Sequence, residues 1–180
     1  MIISVTGAHS GVGKTTLCCL LLREFKGLGA IKFTKTRLYT SIIDDIKILN
    51  RPGKDTALLL DAGAERVVWI QSPGDAMGDA LQIALGKMSG IRCMIVEGNS
   101  PVDFLDPYLL IFIVDADGEI KPSAMKVSKK ADIIVINSKE KVTSPVTAAN
   151  AVIFWIDLQN KRGEFNEFLS FVKEKIKGMC

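Results

Sequence analysis

The chain is poor in the residues that most often build metal centres and cross-links. Its 180 residues include one histidine, His9, and four cysteines, Cys18, Cys19, Cys93 and Cys180, with no C-x-x-C pair among them. One imidazole and scattered thiols do not make a zinc site, so the cysteines are read as reduced thiols of a cytoplasmic protein. Long apolar runs are also missing. A stretch such as residues 108–114 falls far short of the roughly 20 residues a membrane-spanning helix needs. The opening residues MIIS carry no basic region ahead of an apolar one, so no secretory signal is expected. The formal net charge is only +3, which gives no argument for nucleic acid or an anionic membrane as partner. Internal repeats, low-complexity tracts and clear linkers are absent. What remains is a globular composition, 48% hydrophobic and 24% charged, on a length that suits one domain with a substantial core.

Short β-branched runs alternate with longer helical ones. Strands are expected at residues 2–6, 30–34, 65–71, 92–97, 109–115, 131–137 and 151–157. Most are near-continuous apolar runs (RCMIVE, LLIFIVD, ADIIVIN), the signature of parallel strands covered on both faces. Helices are expected over residues 14–26, ended by Gly27 and Gly29, and over 56–62, closed by Gly63. Another spans 75–88, where Met77, Leu81, Leu85 and Met88 share a face, and a last one carries Phe165, Phe168, Leu169, Val172 and Ile176. Alternation of this kind predicts an α/β fold with a doubly wound, mostly parallel sheet flanked by helices. Residues 35–51 (KTRLYTSIIDDIKILNR) break the rhythm, and 35–55 is read as an inserted basic loop or hairpin within one domain spanning 1–180.

Between the first strand and the first helix lies TGAHSGVGKTTL. Ala8, then four residues, then Gly13-Lys14-Thr15 fits the P-loop (Walker A) pattern, and the strand before and helix after are the context that pattern requires. Gly11 and Gly13 let successive N–H groups converge on phosphate oxygens, and the helix adds its positive end. Ser10, Gly11, Val12, Gly13 and Lys14 therefore form the phosphate cradle of a P-loop NTPase. Lys14 neutralises the β and γ phosphates, the Thr15 hydroxyl ligates Mg²⁺, and Thr16 reaches toward the α-phosphate. His9, inside the loop, is read as facing solvent rather than as a catalytic base.

A P-loop needs an acid at a neighbouring strand tip to manage Mg²⁺ or its water. Glu97, closing RCMIVE just before Gly98, is the preferred one, as metal and catalytic partner beside Lys14. Asp115, in VDADGE, reads as a turn residue. Asp44 and Asp45 form a second acidic candidate in the inserted segment, and Asp55 either a third or a helix cap. Lys35, Arg37, Arg51 and Lys54 make the segment basic. The guanine-reading pattern Asn-Lys-x-Asp finds only a shifted approximation in Asn137-Ser138-Lys139-Glu140, so Asn137 is the candidate base contact. GTP is the expected nucleotide and ATP the alternative.

Taken together, AHSGVGKTTL, Ile31-Lys32, RPGKDT at 51–56, DAGAERVV at 61–68 and IVEG at 95–98 resemble the MobB family of molybdopterin-guanine dinucleotide biosynthesis proteins. The match runs in the family's order over roughly the first hundred residues. The resemblance implies a GTP-binding accessory protein, weakly hydrolytic and dimeric, that works beside a MobA-type guanylyltransferase in molybdenum cofactor synthesis. Carried over by position, Gly11, Gly13, Lys14 and Thr15 would hold phosphate and Mg²⁺, with Glu97 beside the metal or its water. Two alternatives share the architecture. One is an ATP-dependent small-molecule kinase or ligase of the dethiobiotin-synthetase type, which needs an acceptor pocket and a base. The other is a non-enzymatic nucleotide switch acting as an adaptor.

Overall fold

The computed structural model describes residues 1–143, 146 and 150–179; Cys180, counted above among the thiols, lies outside them. Cys18 and Cys19 are free thiols, while Cys93 is disulfide-bonded, which corrects the reading of four reduced thiols. Nine strands form one sheet: β1 (Ile2–Gly7), β2 (Leu28–Lys35), β3 (Ser41–Ile43), β4 (Val67–Ser72), β5 (Cys93–Glu97), β6 (Leu109–Asp115), β7 (Ile133–Asn137), β8 (Val152–Asp157) and β9 (Arg162–Gly163). Their spatial order is β3-β4-β2-β5-β1-β6-β7-β8-β9. All pairs are parallel except the two edge pairs, β3 with β4 and β8 with β9.

The apolar runs explain the layering. Along β6, Leu109, Ile111 and Ile113 enter one core cluster while Leu110, Phe112 and Val114 enter another, because successive side chains of a strand point to opposite faces. The first face is covered by α1 (Lys14–Glu24), α3 (Asp55–Asp61) and α6 (Phe165–Ile176). The second is covered by α4 (Met77–Lys87) and α5 (Pro122–Ser128). With both faces buried, a strand needs no polar alternation. Among the described residues no helix is long and apolar enough to cross a membrane.

Three local expectations change. Gly29 does not end α1; it lies inside β2, where an added Cβ would come within 3.3 Å of Met88 and Ile91 side-chain atoms. The strand needs a bare residue there. Residues 35–55 do not fold back on themselves as a hairpin. They supply β3, which pairs antiparallel with the later β4, and then α2 (Ile46–Leu49). Asp55 does not cap α3; it is the first helical residue, and the N-cap position belongs to Lys54, which makes no side-chain cap.

For function the decisive feature is β1. It lies between β5 and β6, and the chain leaves it toward β2 on one side and reaches β6 on the other. That reversal of winding is where open α/β sheets form a crevice at the carboxyl ends of their strands. Residues 8–13 and the end of β5 both sit there.

Candidate functional site

The loop after β1 is shaped by two left-handed glycines, Gly11 with φ 85° and Gly13 with φ 109°. At Gly13 the conformation is doubly enforced. A Cβ would lie 2.9 Å from the Asn137 amide nitrogen and 3.1 Å from Leu158, so any side chain would be strained and would collide. Gly13 is also the N-cap of α1 and offers no side chain to its first turn. The opening N–H groups of the helix are thus left without a side-chain partner, and an anion is their natural acceptor.

Two asparagines brace the loop. Asn99, after β5, accepts from the Gly7 N–H at 3.0 Å and donates to the Gly7 carbonyl at 2.9 Å. Asn137, at the end of β7, donates to the Val12 carbonyl at 3.0 Å and accepts from the Leu158 N–H at 3.2 Å. The candidate base contact therefore stands against the loop with its amide engaged at both ends, as a latch between two loops. Val12 buries its side chain in the core and has only backbone to offer a ligand.

The cradle encloses a cavity of about 320 Å³. One wall is the loop with Lys14, Thr15 and Thr16; the other is Lys32, Asp55 and Glu97. A larger groove of about 610 Å³ lies away from the loop, between the C-terminal ends of α1 and α6, and gathers none of the motif residues. Inside the cradle, the Thr15 hydroxyl donates to the Glu97 carboxylate at 3.0 and 3.1 Å, so the two expected metal partners touch. The Lys32 ammonium sits among the same oxygens. It pairs with Glu97, lies 2.7 Å from Asp55 and 3.2 Å from the Thr15 oxygen. Burial disfavours this ammonium, but the Glu97 charge and the hydrogen bonds to Asp55 and Glu97 outweigh that and hold its pKa above the ordinary lysine value.

This donor set suits a hard divalent cation. A hydroxyl and two carboxylates converge on one cationic group, and no group of three or more His, Cys, Asp or Glu able to hold a metal occurs among the described residues. Mg²⁺ is characteristically bound through one or two carboxylates plus substrate phosphates. Thr15 and Glu97 fit that description, with Asp55 in reach of the same point. Lys14 faces the cavity with its ammonium 2.6 Å from the His9 carbonyl. Burial, reinforced by the charges of Lys32 and Lys121 and opposed by Glu97, pulls its pKa below the ordinary value. It is a desolvated cation holding one neutral acceptor.

The remaining acids are used elsewhere. Asp44 pairs with Lys87 at 2.7 Å and Asp45 accepts from the Lys47 N–H as the N-cap of α2, so the paired aspartates form no metal site. Lys54 places its ammonium 4.8 Å from the centre of the Trp69 ring. Asp115, taken as a turn residue, closes β6 and lies 2.7 Å from His9 Nε2, while His9 Nδ1 lies 2.8 Å from the Ser10 carbonyl. The Ser10 carbonyl only accepts and the Asp115 carboxylate accepts when ionised, so protonation of the ring lets both nitrogens donate. The backbone bond to Ser10, then the Asp115 hydrogen bond and charge, raise its pKa above the ordinary 6.5 against the pull of burial. The contribution of these contacts to stability is fully present below about pH 6.5 and fades as pH rises through the raised value. Because His9 is the only histidine, an NMR titration of its ring protons reads this directly. The midpoint should lie above 6.5 and fall in Asp115→Asn, and a wild-type midpoint at or below 6.5 would contradict the support that Asp115 and the Ser10 carbonyl give the protonated ring.

Lys32 lines the cavity but had no role in the expected site. Its signal was present in AIKFT: a lysine in the middle of an otherwise apolar strand must find a buried acid.

No protein-family model matches the chain, and no curated protein matches it in sequence. Solved structures do. HypB from Helicobacter pylori, determined in complex with nickel, is 16% identical with a TM-score of 0.60, over 99% of this chain and 88% of that one. The "apo" form of LpxK from Aquifex aeolicus, determined in complex with ATP, is 16% identical with a TM-score of 0.53, over 96% of this chain and 67% of that one. At this identity the likeness shows the fold alone, a mostly parallel sheet flanked by helices on both faces.

Proposed function

We propose that the protein binds a nucleoside triphosphate with Mg²⁺ in the loop between β1 and α1 and hydrolyses it slowly. The observation that carries this is the direct hydrogen bond between Thr15 and Glu97 beside the uncapped start of α1. Gly11, Gly13 and the first turn of the helix supply N–H donors to the phosphates, and Lys14 exchanges the His9 carbonyl for phosphate oxygens. Thr15 and Glu97 would hold Mg²⁺, which when bound neutralises phosphate charge.

Slow turnover follows from what surrounds the cavity. Glu97 is engaged by both Thr15 and Lys32, and the two His9 ring nitrogens are taken up by Asp115 and the Ser10 carbonyl. Neither is free to take a proton from an attacking nucleophile. Catalysis is left with positioning and charge alone, which in unassisted GTPases gives turnover on the order of 10⁻³ s⁻¹. The same lack of a free base weighs against a kinase or ligase.

The finer assignment, a GTP-binding accessory protein of molybdopterin-guanine dinucleotide synthesis that dimerises and works with a MobA-type guanylyltransferase, rests on the sequence resemblance. One structural fact supports it. Lys32 and Asp55, from two separate resembling segments, form a single ion pair at the metal end of the cradle. Calorimetry with GTP, GDP, ATP and ADP in the presence of Mg²⁺, with a phosphate-release assay, tests both levels. Expected are micromolar triphosphate binding, GTP ahead of ATP, and slow release. Micromolar ATP binding with none for GTP would remove the guanine assignment, and no triphosphate binding at all would remove the function.

A further inference from the structure

The cradle opens into a second chamber that the triphosphate does not account for. A cavity of about 430 Å³ shares Ser10, Lys14, Lys32, Asp55 and Glu97 with the phosphate site, then continues past them to Phe33, Lys35, Ser100, Lys121 and Ser123. That volume lies within the range of small-molecule sites, roughly 300–1,000 Å³. Lys35 and Lys121 border this chamber and not the phosphate cavity.

Charge distinguishes the two compartments. In the phosphate cavity two lysines, Lys14 and Lys32, face two carboxylates, Asp55 and Glu97. The chamber adds Lys35 and Lys121 and no further acid. Among the described residues neither lysine has a salt-bridge partner. His9 also borders it, with its charge matched by Asp115. The hydroxyls of Ser100 and Ser123 take no protein partner among the described residues and add two neutral donors. The floor is apolar. Phe33, a core side chain only 9% exposed, borders the chamber, and Gly98, at φ 139°, turns the chain where a Cβ would press within 3.2 Å of that side chain.

We propose that this chamber binds a second ligand beside the nucleotide, a small molecule bearing a phosphate monoester. Lys35 and Lys121 hold the dianionic head, the two serine hydroxyls donate to it, and its carbon portion lies against Phe33. Two unpaired cations with two hydroxyls suit a doubly charged group with three terminal oxygens better than a singly charged carboxylate. The inference rests on the loop's being a triphosphate cradle, since that leaves the chamber free when nucleotide is bound.

The test loads the protein with Mg²⁺ and a non-hydrolysable GTP analogue, with the ATP analogue as a parallel arm, and then titrates phenyl phosphate by calorimetry. One equivalent should bind. The double variant Lys35→Ala/Lys121→Ala should weaken phenyl phosphate by about tenfold or more while the analogue's affinity changes far less. Both lysines are exposed, and a melting curve checks that the variant is folded. Three results overturn the proposal: no phenyl phosphate binding to loaded protein, benzoate binding as tightly, or equal loss of analogue affinity in the variant, which would assign both lysines to the triphosphate. If the analogues themselves fail to bind, the cradle function falls. Phenyl phosphate titrated into free wild type and double variant then judges the chamber by itself: a lysine-dependent equivalent upholds it, and none removes it.

Discussion

Lys14→Ala should lose triphosphate binding by about a thousandfold while the protein remains as well folded as wild type. The two halves of this result have one cause. Lys14 is a partly buried ammonium whose only hydrogen-bond partner among the described residues is the His9 carbonyl, and burial, its largest influence, lowers its pKa. Removing it deletes a desolvated charge, not a matched pair, so the change in stability should stay within about 1 kcal/mol. Binding is different. Two charge-assisted hydrogen bonds to phosphate oxygens, at about 2 kcal/mol each, amount to roughly three factors of ten in affinity. Calorimetry gives the binding term and thermal melting the stability term. Wild-type affinity in the variant would end the assignment of the loop, and a collapse in melting temperature would show that Lys14 is structural.

The fold was legible because its strands are buried on both faces. LLIFIVD and DIIVIN have no polar alternation, and only a sheet covered by helices on each side accepts such runs. The loop was legible because its glycines, lysine and threonine act through local backbone geometry that a short motif encodes. Residues whose role depends on tertiary neighbours were not. Asp55, in PGKDT, reads either as a third acidic candidate or as a helix cap, and only the packing of α3 against β2, where Lys32 pairs with it, decides for the site. Asp115 looks like a turn residue, and becomes the partner of His9 only because β6 runs beside β1. Asn99 carries no motif at all, yet it pins Gly7 with two hydrogen bonds. Its role exists only through the parallel register of β1 and β5. In each case the missing information is which strand lies beside which, and that ordering belongs to the whole chain.

Lys32→Met should be the most destabilising single change at the site. It leaves Glu97, only 2% exposed, as a buried carboxylate with the Thr15 hydroxyl as its remaining side-chain partner. Removing one member of a buried ion pair costs about 3–5 kcal/mol, because the surviving charge stays desolvated and uncompensated. For a chain of this length that corresponds to a fall in melting temperature of roughly 6–20 °C. The wild-type contribution persists through neutral pH. Glu97 and Asp55 hold the ammonium above the ordinary 10.5, so its share is fully present below that pH and lost only as pH climbs through the raised value. A companion variant separates charge from packing. Lys32→Met/Glu97→Gln removes both members of the pair and should recover most of the lost stability, since replacing a buried ion pair as a unit is often close to neutral. Mg²⁺ with triphosphate should also narrow the gap between Lys32→Met and wild type, because a divalent cation returns positive charge to Glu97. Thermal and urea melts of the two variants, with and without Mg²⁺ and nucleotide, read all three effects. A loss below about 1 kcal/mol, or a double variant no more stable than the single, would mean that Lys32 does not hold the place of a cation here. The predicted pattern would make the ammonium a resident charge that keeps the acidic end of the cradle folded until metal and phosphate arrive together.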